Sequence, residues 1–259
     1  MARPLESNPP SFTCNICGAS CLVPAAQLQR ETASCETCGS SPRARSIIHV
    51  LSLGLFGKSL GLPDFPVSHQ LSGLGMSDWE GYAVKLAEKF RYTNTYYHKE
   101  PRLDVSDREI PNSLNQSCDF IISSEVFEHV VPPVRRAFEN TLKMLKPGGL
   151  LVLTVPYGTQ TKTLEHFPDL YDFTIIADND SYRLENLTRS GEVQEFSDLV
   201  FHGGPGTTLE MRVFGEAALL EHLAEAGFES ITVHRAPDFF HGIWWPEPWS
   251  FPLSARRPR

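Results

Sequence analysis

The chain has 259 residues, of which 41% are hydrophobic, enough for one large domain or for a medium domain with a small one. Its net charge of −8 argues against a broad nucleic-acid surface, which needs a basic stripe, but allows a local cluster that meets a small anionic substrate. No long apolar run or N-terminal signal core is present, so we expect no membrane span and a cytoplasmic location.

Two Cys-x-x-Cys pairs lie near the N-terminus, Cys14 with Cys17 and Cys35 with Cys38. This spacing lets both thiolates of a pair reach one ion, and the glycine after each pair lets the backbone turn back toward the sulfurs. Because Zn²⁺ prefers four such ligands in a tetrahedron, the pattern predicts a structural zinc ribbon over residues 1–45. The alternative is a loop of reduced thiols without metal.

The segment after the second pair connects the ribbon to the rest of the chain. Cys21 is a spare thiol whose spacing from the first pair suits the metal less well. Arg43 and Arg45 are interpreted as a solvated pair, with contacts to an anionic group or to the acidic body as the alternative. Apolar residues at helical spacing and a proline-containing end predict a linking helix within residues 46–64.

From residue 65 onward the pattern alternates between strand and helix. An apolar run at 120–122 ends in small polar residues, an amphipathic segment at 134–145 follows two prolines, and "KPGG" precedes an apolar strand at 150–156. This alternation predicts a doubly wound Rossmann-like α/β sheet, whose ligands lie at the carboxyl ends of the strands. The loops of interest follow Gln70, Tyr97, Ile122 and Val155.

The segment "DFIISSEVFEHVVPPVRRAFENTLKMLKPGGLLVLTVP", residues 119–156, resembles the middle of class I S-adenosylmethionine-dependent methyltransferases of the type 11 kind. The later segments "FGEAALLEHLAEAGFESITV" and "WSFPLSARRP" are similar to that family's late helix and last strands. The likeness covers roughly residues 65–259 apart from an insert. It implies a methyltransferase fold with S-adenosylmethionine as cofactor, and it says almost nothing about the methyl acceptor.

The resemblance implies a cofactor loop in "LSGLGMS". In the family the first strand ends in an acidic residue, and glycines follow at alternate positions. Here Leu71 takes the acidic position, Gly73 and Gly75 are the glycines, and Ser77 takes the last place, with Asp78 after it. We interpret the stretch as an altered cofactor loop in which backbone amides approach the ligand closely. The alternative is a plain turn in a family member that has lost the cofactor.

Other positions implied for the cofactor follow later strands of the predicted sheet. They are His98, Glu100, Asp104, Val105, Ser123 and Glu125. The acid expected to bind the ribose after the second strand, about residues 93–97, is missing, so His98 or Glu100 is expected to replace it. Asp104 and Val105 match the pair that lies along the adenine, and the carboxylate of Glu125 suits the positive sulfonium.

An insert at residues 158–213 exceeds what the family requires, and we interpret it as a lid over the substrate, with an added hairpin as the alternative. His166 and His202 are candidate general bases, because an alcohol or amine loses a proton as it attacks the methyl group. His129, in the "EH" pair with Glu128, is a third candidate, although in relatives this pair is often structural. The predicted substrate contacts are Tyr157, Glu210 and Arg212.

These features together predict a methyltransferase that acts on a small molecule, such as a sugar, a glycan precursor or a secondary metabolite. An RNA methyltransferase is one alternative, because some of these enzymes carry a four-cysteine zinc module. A non-catalytic zinc-containing binding protein on the same fold is another, because the glycine loop is altered and the ribose acid is missing. The sequence leaves the acceptor atom and the oligomeric state open.

Overall fold

The computed structural model describes residues 11–179, 181–204 and 206–259, so the first ten residues of the predicted ribbon lie outside it. The helices are α1 (Pro42–Phe56), α2 (Glu80–Lys89), α3 (Arg135–Met144) and α4 (Glu216–Ala226). The strands are β1 (Ser11–Thr13), β2 (Ser20–Leu22), β3 (Ser68–Met76), β4 (Phe90–Thr95), β5 (Cys118–Ser124), β6 (Leu145–Thr154), β7 (Tyr157–Gly158), β8 (Leu164–Glu165), β9 (Asp172–Asp178), β10 (Ser181–Leu187), β11 (Val193–Phe196), β12 (Phe201–His202), β13 (Thr208–Leu209), β14 (Arg212–Gly215), β15 (Glu229–Val233) and β16 (Leu253–Arg256). Within the described residues, the search for a helix able to cross a membrane found none.

The central sheet has the strand order β15-β16-β6-β5-β3-β4. Strands β4, β3, β5 and β6 are parallel, and β16 and β15 are antiparallel to their neighbours. In β5, Phe120 and Ile122 pack in the core that contains α1 and α2, whereas Ile121 packs in the core that contains α3 and α4. Helices therefore cover both faces of a mostly parallel sheet, which confirms the predicted α/β class.

Residues 11–41, which we call the N-terminal segment, pack together with α1 directly on this sheet. Ser41 caps α1 by accepting the N–H three residues on, and Pro42 occupies the first helical position, so the helix begins before the predicted residue 46. Phe12 and Ile16 share one hydrophobic core with α1 and the central strands. The segment is therefore continuous with the core of the body.

The glycines of the predicted cofactor loop lie inside a strand, because β3 continues to Met76. A Cβ atom on Gly73 would lie 2.1 Å from the ring of Phe120, and one on Gly75 would lie 2.0 Å from the hydroxyl of Tyr92. The prediction of a turn at these positions is therefore wrong. The missing side chains make room for aromatic rings from neighbouring strands, a common reason for glycine within a sheet.

The second strand of the sheet also differs from its predicted position. β4 begins at Phe90, directly after α2, and ends at Thr95, whereas the sequence predicted a strand at about 93–97. Phe90 is fully buried and already pairs with Ser68 of β3. Burial of this ring starts the strand earlier than the run of tyrosine and threonine residues indicated.

The insert forms its own small layer beside the carboxyl edge of the sheet. Strands β9, β10 and β11 make an antiparallel sheet over a cluster of Phe167, Leu184, Leu209 and Met211. The two ends of the insert are held together by strand pairing, because β14 pairs with β7 in parallel and with β8 in the antiparallel sense. The insert is therefore a folded unit docked on the body.

Candidate active site

The carboxyl ends of β3, β4 and β5 meet at one edge and bring several predicted cofactor residues together. Ser77 directly follows β3 with a φ of 57°, and its N–H donates to the carbonyl of Thr95 at 2.7 Å. Glu125 directly follows β5 with a φ of 55°. The hydroxyl of Ser123 is buried there without a hydrogen-bond partner among the described residues. A buried hydroxyl in this state is suited to a polar ligand, because leaving it unpaired costs free energy.

Asp78, another predicted cofactor residue, lies inside the protein behind the edge. Its carboxylate accepts hydrogen bonds from Tyr82, at 2.8 Å, and from Tyr92. Burial raises the pKa of Asp78 to about 7, although the two tyrosine hydroxyls oppose the shift. Both carboxylate oxygens are occupied by protein groups, so this side chain holds the turn between β3 and α2.

The loop after β4 carries four further predicted cofactor residues. His98 and Glu100 are exposed, and the carboxylate of Glu100 accepts the backbone N–H two residues on at 2.9 Å. The carboxylate of Asp104 accepts from the N–H and the hydroxyl of Ser106 at 2.9 and 2.6 Å, and Val105 is buried. Asp104 is thus held in a fixed orientation, whereas His98 and Glu100 lie on an open surface.

Two arginines of the N-terminal segment reach the same edge. Arg30 donates to both carboxylate oxygens of Glu125, at 2.8 and 3.2 Å, and Arg43 donates to the hydroxyl of Ser124 and to Glu31. Burial alone raises the pKa of Glu125, but the Arg30 guanidinium outweighs it and the pKa is lowered. The charge of Glu125 is therefore already paired, and the prediction of a solvated Arg43 is wrong because its partners lie on the protein.

Arg45 also departs from the predicted solvated pair, because it is fully buried. Its guanidinium donates to the carbonyls of Ser40 and Gly242, at 2.8 and 2.7 Å, and to the hydroxyl of Ser34 at 2.9 Å. The ring of Phe12 lies 4.4 Å below it. Both terminal nitrogens of this guanidinium meet acceptors, although Nε has no partner among the described residues, and these bonds join the N-terminal segment to the C-terminal part of the chain.

Four thiols of the N-terminal segment converge at one point. They belong to Cys14, Cys17, Cys35 and Cys38, whose sulfur atoms all lie within 4.8 Å of one another. Two Sγ–Sγ pairs are 3.7 and 3.6 Å apart. Zinc with bonds of about 2.3 Å holds tetrahedral sulfurs roughly 3.8 Å apart, so the thiols fit this ion. The glycine after each pair has a positive φ, 79° and 74°, and Cys21 lies outside the group.

The insert brings three predicted residues onto His129, although they are far apart in sequence. His166 Nε2 lies 2.8 Å from Glu210 Oε1, and His202 Nε2 lies 3.2 Å from Glu210 Oε2. His202 Nδ1 in turn lies 3.2 Å from His129 Nε2. All three candidate bases and Glu210 therefore form one connected chain of side chains, which we call the histidine cluster.

Glu128 lies next to this cluster, and the sequence indicated it only as the neighbour of His129 in the "EH" pair, without a role of its own. It is fully buried, and neither carboxylate oxygen has a hydrogen-bond partner among the described residues. Burial, reinforced by the charge of Glu125, raises the pKa of Glu128 well above its usual range. Its Oε1 lies 3.6 Å from His129 Nε2, and burial lowers the pKa of that imidazole. The "EH" pair marked the position, but nothing in the sequence showed that the carboxylate lacks a partner.

Arg212 and Tyr157, predicted to contact substrate, lie inside the protein beneath the cluster. Arg212 is fully buried and donates to Glu165 at 2.8 Å and to the carbonyls of Phe127 and Val130 at 3.0 and 2.6 Å. Tyr157 is 1% exposed, and its hydroxyl accepts a backbone N–H at 3.1 Å. The Arg212 contacts attach the insert to the segment that follows β5, whereas the Tyr157 hydroxyl contacts Phe251 near the C-terminus.

Comparison with known proteins places this fold in a family. The family model described as "Methyltransferase domain" matches residues 25–233. No curated protein sequence matches the chain.

Similar solved structures include a S-adenosylmethionine-dependent methyltransferase from Clostridium acetobutylicum, with 11% identity, a TM-score of 0.47, and coverage of 85% of this chain and 92% of that one. An amino pentose methyltransferase from Micromonospora echinaspora has 15% identity, a TM-score of 0.43, and coverage of 85% and 92%. A sugar N-methyltransferase from Streptoalloteichus has 14% identity, a TM-score of 0.46, and coverage of 83% and 87%. Because the family model covers most of its length, the chain belongs to the methyltransferase domain family and is a S-adenosylmethionine-dependent methyltransferase.

Proposed function

We propose that this enzyme methylates a hydroxyl or amine of a small molecule, such as a sugar, a glycan precursor or a secondary metabolite, and that residues 158–213 act as the lid over that acceptor. The observation that carries the proposal is the histidine cluster. The insert delivers His166, His202 and Glu210 to His129, directly after the strand that ends at Ser124. S-adenosylmethionine, when bound, supplies a methyl group activated by a positively charged sulfur.

The residues proposed to hold the donor are those at the edge that keep polar atoms available. The hydroxyl of Ser123 has no hydrogen-bond partner in the described part of the chain, and Ser77 forms a left-handed turn, so both residues are suited to this role. Asp104, oriented by its hydrogen bonds to Ser106, is proposed to lie beside the adenosine. Gly73 and Gly75 act indirectly, because they allow the aromatic packing that positions β3.

The proton of the acceptor is proposed to pass to an imidazole of the cluster. His202 has 41% of its side chain exposed and His166 has 24%, so an acceptor is able to approach either ring. The carboxylate of Glu210 lies between them and orients both. A positioned imidazole suits proton removal near neutral pH, and its usual contribution to rate is about 10²- to 10⁴-fold.

We further propose that the four thiols bind a structural zinc ion. A closed set of four cysteines leaves no open position for substrate, so the ion would stabilise the N-terminal segment without taking part in the reaction. The proposed organisation keeps the predicted order of zinc ribbon, linking helix and methyltransferase domain at 65–259, with the boundary between ribbon and helix moved from residue 45 to Ser41 because α1 begins at Pro42.

Calorimetry with S-adenosylhomocysteine, followed by methyl-transfer assays, tests this function. We expect binding by the wild type, at least 10-fold weaker binding by Asp104→Ala, and unchanged binding by the exposed control His69→Ala. With sugars and other small alcohols or amines as acceptors, His166→Ala is expected to lower turnover while binding of S-adenosylhomocysteine stays unchanged. Absence of binding at millimolar ligand would contradict the proposal, and transfer to RNA alone would favour the RNA enzyme.

A further inference from the structure

The protonation of His129 is fixed by its surroundings. Its Nδ1 lies 2.9 Å from the carbonyl oxygen of Leu209. A carbonyl oxygen only accepts, so Nδ1 carries the proton and donates it. In the neutral ring Nε2 then has a free lone pair, and this atom points toward His202 and Glu128.

His202 presents a similar lone pair from the opposite side. Its Nε2 lies 3.2 Å from the carboxylate of Glu210, which also accepts from His166. A carboxylate next to an imidazole nitrogen favours a proton on that nitrogen. The remaining nitrogen, Nδ1, is then unprotonated and faces Nε2 of His129 at 3.2 Å.

Two lone pairs and an unpaired carboxylate thus surround one point. Glu128 is fully buried, neither of its oxygens has a partner among the described residues, and Oε1 lies 3.6 Å from His129 Nε2. Two facing lone pairs repel each other, and ionising a buried carboxyl group with no compensating charge is strongly unfavourable. A cation between the three atoms removes both problems at once.

We propose that Glu128, His129 and His202 bind a divalent first-row transition metal ion, such as Zn²⁺ or Mn²⁺. The three ligand atoms lie within 4.8 Å of one another. Bonds of about 2.0–2.1 Å hold neighbouring ligands roughly 3.0–3.4 Å apart, close to the 3.2 and 3.6 Å spacings here. Two imidazoles and one carboxylate are a ligand set for such ions, and they leave coordination positions open.

The groups behind the ligands support the same assignment. Imidazole ligands in proteins usually donate their second N–H to a carbonyl or a carboxylate, which fixes the ring and its tautomer. Leu209 and Glu210, both from the insert, occupy these positions behind His129 and His202. The insert therefore supplies one ligand and both supporting groups, whereas the body supplies the other two ligands.

The role of the ion rests on the proposed function, but its binding does not. The exposed side of His202 gives an acceptor oxygen or nitrogen access to an open coordination position. A metal-bound hydroxyl loses its proton more readily, because the positive charge stabilises the alkoxide. In this arrangement His202 is a ligand, and His166 is the imidazole left to take the proton.

Metal content measured by mass spectrometry tests the site separately from activity. Purified protein dialysed against micromolar Zn²⁺ is expected to retain about two ions per chain, one at the four thiols and one at the new site. Glu128→Gln and His202→Gln are expected to retain about one, and the exposed control His69→Gln about two. Cobalt substitution identifies the ion that remains, because only thiolate ligation gives an intense near-ultraviolet charge-transfer band.

Each outcome decides the matter. One ion per wild-type chain, with cobalt substitution placing it at the thiols, would overturn the site, and so would two ions in both Glu128→Gln and His202→Gln. Glu128→Gln keeps the shape of the side chain, and circular dichroism shows whether the variant folds. Binding of S-adenosylhomocysteine without a second metal ion would contradict this inference alone. A second metal ion without binding of S-adenosylhomocysteine would contradict the proposed function alone.

Discussion

The N-terminal segment and the insert both cover the segment that follows β5, but they are attached to it by different interactions. The N-terminal segment reaches Glu125 with the guanidinium of Arg30, so a pair of opposite charges makes the contact. The insert reaches the carbonyls of Phe127 and Val130 with the guanidinium of Arg212, so backbone acceptors make the contact. One attachment therefore depends on charge compensation, and the other depends on the geometry of a tight turn.

The two units also differ in what keeps them folded. The insert has a hydrophobic cluster and several paired strands of its own. The N-terminal segment has one short strand pair and four converging thiols, and its apolar residues belong to the core of the body. We therefore expect the N-terminal segment to respond strongly to loss of metal, whereas the insert responds to changes in its contacts with the body.

The largest effect is expected from removing one thiol. Cys35→Ser, or treatment with a strong chelator, should release the proposed zinc ion and unfold the N-terminal segment, because structural zinc binding contributes about 10–16 kcal/mol in small domains. Hydrogen exchange should show lost protection in residues 11–41 and retained protection in β9 and β10. Cys118→Ser is the control, since its thiol is buried in the core of the body and lies outside the group of four thiols. Equal protection in Cys35→Ser and wild type would contradict the proposal.

The next effect concerns the charge pair. Arg30→Ala leaves the carboxylate of Glu125 partly buried without its partner, a change that typically costs about 3–5 kcal/mol. Unfolding in urea should show this loss, and the double variant with Glu125→Gln should recover most of it because the unpaired charge is gone. Failure of Glu125→Gln to restore stability would mean that packing, not charge, holds the N-terminal segment.

Much of the N-terminal segment was predictable, because its information is local. Two cysteine pairs with the same short spacing, each followed by glycine, indicate one site from the sequence alone. The alternating strands and helices likewise indicated the sheet, because β5 and β6 are buried on both faces and each contains an apolar run.

The cluster of histidines was predictable only in part. The sequence singled out His129, His166 and His202, but it gave no reason to place them together, because β-sheet pairing in the insert decides which residues meet. The prediction of a turn at Gly73 and Gly75 was wrong for a related reason. Glycine within a strand and glycine in a cofactor turn look alike in sequence, and only the rings of Phe120 and Tyr92 distinguish them.

The attachment of the insert is expected to depend on the planar shape of the Arg212 guanidinium. Arg212→Lys keeps the charge but loses the planar fork that reaches the two carbonyls and Glu165, so at least one buried acceptor stays unpaired. This should cost about 1–3 kcal/mol of unfolding free energy. Methyl transfer should fall more than binding of S-adenosylhomocysteine, since the insert carries three of the four residues of the histidine cluster. Arg183→Lys, on the surface of the insert, is the control.

The smallest effect, dependence on pH, separates the two attachments most directly. The pKa of Glu125 is lowered in the folded protein, so the stability that its ionised form contributes is fully present above its unfolded pKa of about 4.3. That contribution is lost as the pH falls from there through the folded pKa, with a slope of at most about 1.4 kcal/mol per pH unit for one proton. The unfolding free energies of wild type and Glu125→Gln, measured in urea between pH 3 and 7, should therefore converge at the acid end.

The same comparison between wild type and Arg212→Lys should show a constant difference in unfolding free energy, because the carbonyls of Phe127 and Val130 do not titrate. A pH-dependent difference for Arg212→Lys would mean that its exposed partner Glu165, not the backbone, carries the attachment of the insert.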